Sequence, residues 1–155
     1  MNLLRKKAAN YYTEKLENVN GIVVPDKSIG ADHVHHLYVI RITGKYSITR
    51  NMLFNKLLNK GIRTSVHYKP LHMFTIFKKM AKVSGSLSNS KNAYSQILSL
   101  PIYPSISKRQ QNIVIHNIEK YEDWSKYLLV YFIRQHYYCK SRDKSYENNG
   151  RYSGL

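Results

Sequence analysis

Gly61-Ile62-Arg63-Thr64-Ser65-Val66-His67-Tyr68-Lys69-Pro70-Leu71-His72 reads as a strand from Gly61 to Tyr68 that Pro70 brings to an end, because proline has no N–H to give to a sheet ladder. Two imidazoles, a phenol and an ammonium therefore gather where the backbone leaves the sheet. Strand ends are where a rigid scaffold presents polar groups to a cleft, so His67, Tyr68 and His72 are candidate site residues. Ordinary surface or capping positions use the same residue types, and spacing alone leaves both readings open.

The segments on either side supply helices and further strands. Leu3, Leu4, Ala8, Tyr11, Tyr12 and Leu16 recur at helical spacing and predict a helix over residues 2–18. Gly21 to Pro25 is a brief β-branched run closed by proline. A second strand is expected from Val34 to Thr43, with Tyr38, Ile40 and Ile42 facing one way and Leu37, Val39 and Arg41 the other. Ser47 or Thr49 can cap a helix running to Lys60, with Leu53, Leu57 and Leu58 inward and Gly61 as its terminator.

Beyond the deciding stretch, His72 to Met80 predicts a short helix packing Phe74 and Phe77 inward, and Asn89 to Leu98 a further one. The extended run Leu98-Ser99-Leu100-Pro101-Ile102-Tyr103-Pro104 follows. Ser107 caps a last helix over Lys108 to Tyr121, with Ile113, Val114, Ile118 and Tyr121 inward. Helices alternating with three or four short strands give an α+β fold in which a short sheet is covered by helices.

The chain has 155 residues, 43% of them hydrophobic, and a formal charge of +16. One core of ordinary domain size is expected, in which apolar burial offsets chain entropy. Residues 122–155 hold six Lys/Arg and four Asp/Glu, leaving 19 and 5 in residues 1–121, so the body is the basic part. Basic surface attracts polyanions. The lysines are nevertheless scattered, without an arginine-rich run or interleaved exposed aromatics, which argues against nucleic acid as the partner. The single cysteine, Cys139, excludes an intrachain disulfide and suits a reducing cytoplasm. The longest apolar run, Tyr127 to Ile133, is too short to span a bilayer.

His33, His35 and His36 resemble a metal tract, but strand alternation would set His36 opposite the other two, and Asp32 is the lone carboxylate beside them. No metal is expected. The sequence also lacks a glycine-rich phosphate loop, paired carboxylates and a Ser/His/Asp arrangement. No residue is assigned a catalytic role.

In their order and intervals, five segments resemble the carboxy-terminal small domain of the DegT/DnrJ/EryC1/StrS sugar aminotransferases. They are Arg5 to Tyr12 continuing to Leu16, His36-Leu37-Tyr38-Val39-Ile40, Arg50 with its helix, Gly61 to His72, and Leu98 to Pro104. The resemblance covers residues 3–121. It implies an architecture of the aspartate-aminotransferase type, with residues 1–121 as the small domain, including an interdomain helix over 2–18, and 122–155 as a divergent, partly disordered tail.

The resemblance also implies a pyridoxal 5'-phosphate enzyme that moves an amino group, usually from glutamate, to a nucleotide-linked keto sugar, and that works as a homodimer. The cofactor lysine and phosphate-binding residues lie in the family's large domain, so this chain is expected to be a fragment, inactive alone and not anchoring the cofactor. His67, Tyr68 and His72 match the family's strand-end motif beside the substrate, and His36 and Tyr38 match the neighbouring strand. The alternative reading is a basic nucleic-acid-binding module, motivated by the charge.

Overall fold

The computed structural model describes residues 1–26, 33–82 and 84–122. The expectations for the loop residues 27–32 and for the tail beyond Glu122, Cys139 included, lie outside the described residues.

Helix α1 spans Asn2–Leu16 and buries Ala8, Ala9, Tyr12, Thr13 and Leu16. Leu3 and Leu4 do not pack inward as expected; they are exposed on its first turns. Helical spacing defines a face, but it does not say how far along the helix a neighbour covers that face.

Strand β1 is Ile22–Val23 and strand β2 is Tyr38–Ile42. Immediately before β1, Gly21 adopts φ +79°, and an added Cβ there would overlap the backbone of Tyr46, so glycine is required. Along β2 the predicted alternation holds: Tyr38, Ile40 and Ile42 are buried, whereas Val39 is half-buried and Arg41 exposed. The shortfall from Val34 to Leu37 has a local cause at His35, whose φ of 47° interrupts an extended backbone.

Helix α2 covers Arg50–Asn59, and the Thr49 hydroxyl accepts from the Met52 N–H. Its end is a glycine stop. Gly61, at φ 73°, donates its N–H to the Leu58 carbonyl at 2.9 Å, and Ile62 donates to the Leu57 carbonyl at 2.9 Å, which satisfies carbonyls the helix leaves open. Leu53 and Leu57 are buried, but Leu58 is half exposed and belongs to the outer face.

The stretch 61–68 is not a regular strand. Its ladder contact is one antiparallel bridge, Ser65 to Ser99. Strand β3, Ile97–Leu100, pairs antiparallel with β2, setting Tyr38 opposite Leu100 and Ile40 opposite Leu98. The sheet order is β1-β2-β3, and 61–68 runs along the outer edge of β3.

Between these edges lie a 3-10 turn at Leu71–Met73, helix α3 at Thr75–Met80 and helix α4 at Ser88–Gln96, none with a buried residue. Phe74 and Phe77 are therefore not core residues; they meet edge to face at 6.4 Å on the surface.

Helix α5 is Lys108–Glu119, with Ser107 and Gln110 forming a reciprocal capping box. Its inward stripe is Gln111, Val114, Ile115 and Ile118, and Ile113 is exposed. The polar Gln111 is tolerated inside because its amide donates to the Ala8 carbonyl of α1 at 2.8 Å.

Helices α1, α2 and α5 close over the sheet around Tyr12, Leu16, Tyr38, Ile40, Leu53, Leu57, Leu98 and Ile118, the largest fully buried side chains. Each aliphatic member stabilises the fold by roughly 1.5–3 kcal/mol relative to exposure. The result is the α+β arrangement expected, a short antiparallel sheet covered by helices.

Candidate functional site

Ser99 connects the sheet to the strand-end segment. Its backbone exchanges both hydrogen bonds with Ser65, at 3.1 and 2.8 Å, and its hydroxyl lies 2.9 Å from Nδ1 of His67. A buried serine in the sheet thereby fixes one ring nitrogen of His67 and leaves the other edge of the imidazole for a ligand.

Tyr68 follows across a cis peptide and sets its ring edge-on to His67, centroids 4.8 Å apart. It is 72% exposed, so its phenol is available as a donor or acceptor. After Pro70, the 3-10 turn carries His72, whose Nε2 is shielded from solvent and meets no hydrogen-bond partner among the described residues. Lys69 points elsewhere, its ammonium 4.8 Å from the Phe74 ring centre.

The two residues predicted from the neighbouring strand separate. His36 is exposed just ahead of β2. Tyr38 is in the core: it has no exposed surface, its hydroxyl shares a 2.9 Å hydrogen bond with Thr13, and its ring packs 5.1 Å from that of Tyr12. Burial raises its pKa to about 12. Strand alternation explains the outcome, since Tyr38 shares the buried face of β2 with Ile40 and Ile42.

His33 and His35 meet at 4.4 Å between ring centres, and the His35 N–H donates to His33 Nδ1 at 2.9 Å. Burial, then the proximity of His33 and of Lys6, holds the His35 imidazole below its ordinary pKa. Among the described residues, no three His, Cys, Asp or Glu side chains converge as a metal site.

A concavity of about 410 Å³ lies apart from all five predicted residues, lined by Lys60, Arg63, Tyr103, Gln110 and Ile113 among others. These residues come from three separate stretches, so no single motif could have announced them.

The comparisons with known proteins agree with one another. Residues 1–119 match the DegT/DnrJ/EryC1/StrS aminotransferase family. The chain is 30% identical over 117 residues to the spore coat polysaccharide biosynthesis protein SpsC of Bacillus subtilis, covering 74% of this chain and 30% of SpsC. It is 29% identical over 113 residues to the UDP-4-amino-4,6-dideoxy-N-acetyl-beta-L-altrosamine transaminase of Campylobacter jejuni, covering 71% of this chain and 29% of that protein. Among solved structures it is similar to S. venezuelae DesV, crystallised in complex with a ketimine intermediate. The TM-score is 0.70 and the identity 30%, over 79% of this chain and 32% of DesV. The chain thus spans about 30% of the length of the curated relatives it matches.

Proposed function

Because the chain belongs to the DegT/DnrJ/EryC1/StrS aminotransferase family, we propose that it supplies one wall of the substrate cleft of a sugar aminotransferase. The substrate class is a nucleotide-linked keto sugar, glutamate is the amino donor, and the complete enzyme is a cytoplasmic homodimer. The observation that carries this reading is the strand-end cluster. His67 is held by the Ser99 hydroxyl at 2.9 Å, Tyr68 stands exposed beside it, and His72 keeps an unpartnered ring nitrogen. Imidazole and phenol groups at a basic strand end suit the hydroxyls and diphosphate of a sugar nucleotide. We assign substrate contacts to His67, Tyr68, His72 and His36 and leave Tyr38 as packing.

The described residues do not fit the holding of pyridoxal 5'-phosphate. The lysine within the cluster's own segment, Lys69, places its ammonium over the Phe74 ring, 4.8 Å from its centre. Between residues 33 and 118 there is also no Asp or Glu that could pair with a pyridinium nitrogen. The cofactor and its lysine belong, in this reading, to the remaining two-thirds of the enzyme. His67, Tyr68, His72 and His36 bind and orient the sugar nucleotide, and no bond-making step is assigned to them.

The test is a fusion in which all 155 residues replace the matched stretch of the C. jejuni transaminase. The fusion is expected to bind pyridoxal phosphate and catalyse the host's transamination, while the isolated chain forms no borohydride-trappable adduct absorbing near roughly 420 nm. A folded, cofactor-loaded fusion that transfers no amino group contradicts the proposal.

A further inference from the structure

From residue 65 to residue 97, no described residue is buried. The excursion leaves the sheet edge at the Ser65–Ser99 bridge, forms the 3-10 turn, α3 and α4, and returns into β3. Helices as short as α3 are marginal in water by themselves and take their stability from packing an apolar face.

Such a face is present without a cover from the described residues. Tyr68 is 72% exposed, Leu71 65%, Ile76 60% and Met80 76%, and Phe74 and Phe77 lie beside them. Scattered surface leucines need no explanation, but this many large apolar side chains within 13 residues form a contiguous stretch typical of interaction sites. Two polar atoms are also sheltered without a hydrogen-bond partner at or beside it, His72 Nε2 and Arg50 Nε. Arg50 is tied to the excursion through the Tyr94 carbonyl at 3.1 Å. Sheltered polar groups ordinarily find partners.

The charge of the rim identifies the occupant. Lys69, Lys78, Lys79, Lys82 and Lys91 lie on the excursion, which contains no acidic residue. In a twofold contact the same patch meets itself, so a second copy would set lysines against lysines, an arrangement that costs affinity. The partner must therefore present an apolar centre, an acidic rim and a hydrogen-bond acceptor for the sheltered Arg50 Nε.

We propose that the excursion 65–97 is a docking surface for an apolar, acidic-rimmed surface on the polypeptide that completes the aminotransferase. The inference rests on the reading of the chain as one wall of that enzyme. Its arrival beside the cluster would place the partner's surface against Tyr68 and His72 and seal one side of the cleft from water.

Limited trypsin digestion tests this, with the full chain alone compared with the full chain in the C. jejuni fusion. Cleavage after Lys78 and Lys79 should be at least about tenfold slower in the fusion. The surface double variant Leu71→Asp/Ile76→Asp, shown by circular dichroism to be folded, should restore fast cleavage. A fusion that transaminates but is cleaved as fast as the isolated chain overturns the docking surface and leaves the functional reading standing. An inactive fusion with slowed cleavage that the double variant reverses supports the surface and removes the reading. Slow cleavage already in the isolated chain overturns the inference as well: a monomer by sedimentation would mean cover by this chain's own residues, a dimer cover by a second copy.

Discussion

His67 Nδ1 and Ser99 Oγ lie 2.9 Å apart, with the serine 4% exposed in the strand that joins the strand-end cluster to the core. The candidate site is thus mounted on the sheet through a side chain, in addition to the backbone bridge between Ser65 and Ser99.

Ser99→Ala keeps that bridge and removes the hydroxyl. Thermal unfolding of the chain should show a loss of about 1 kcal/mol, the usual net value of one hydrogen bond. In the fusion, the substrate KM should rise more than kcat falls, because the imidazole is less well oriented in the bound state.

Tyr38→Phe leaves the Thr13 hydroxyl inside the core without its 2.9 Å partner. An unsatisfied buried group costs about 1–3 kcal/mol, and urea denaturation should register that loss with little change in slope.

The same tyrosine gives an alkaline signature. Burial raises its pKa from 10.0 to about 12, and Tyr12 and Tyr46 are raised in the same direction, chiefly by burial. The unfolded phenol loses its proton first, so the stability associated with it is complete below pH 10 and is lost as pH rises towards 12. Denaturation measured across that interval should fall less steeply for Tyr38→Phe than for the wild type, by up to about 1.4 kcal/mol per pH unit. Equal slopes would mean that the phenol does not titrate differently in the two states.

Two glycines separate strain from steric overlap. Gly61→Ala meets open space at φ +73° and should cost about 1 kcal/mol. Gly21→Ala has a similar φ but would drive a methyl group into the Tyr46 backbone, so its cost should exceed about 3 kcal/mol. Parallel melting curves of the two variants check the order.

The parts legible in the sequence were those with local causes. Thr49, Gly61 and Ser107 mark helix ends because their side chains or backbone angles satisfy terminal groups, and the alternation from Tyr38 to Ile42 states which face is buried. The failures required knowledge of what lies opposite. Gly61 to Tyr68 has the composition of a strand but meets β3 at one bridge. Phe74, Phe77, Leu58 and Ile113 are apolar yet exposed. Gln111 is polar yet inside, because Ala8 offers it a carbonyl. The strand-end cluster proposed as the site is marked in the sequence by Pro70 and its flanking histidines, whereas Tyr38 followed the strand's own alternation into the core.

The most direct measurement is the specificity constant of His67→Ala in the C. jejuni fusion for the nucleotide-sugar substrate, set beside its melting temperature. The account predicts kcat/KM lower by at least about tenfold, the loss of one charge-assisted or well-placed hydrogen bond in the transition state, with pyridoxal phosphate binding retained and melting displaced by no more than Ser99→Ala displaces it. An unchanged kcat/KM in a folded, cofactor-loaded variant would contradict the assignment of the strand-end histidine to the substrate cleft.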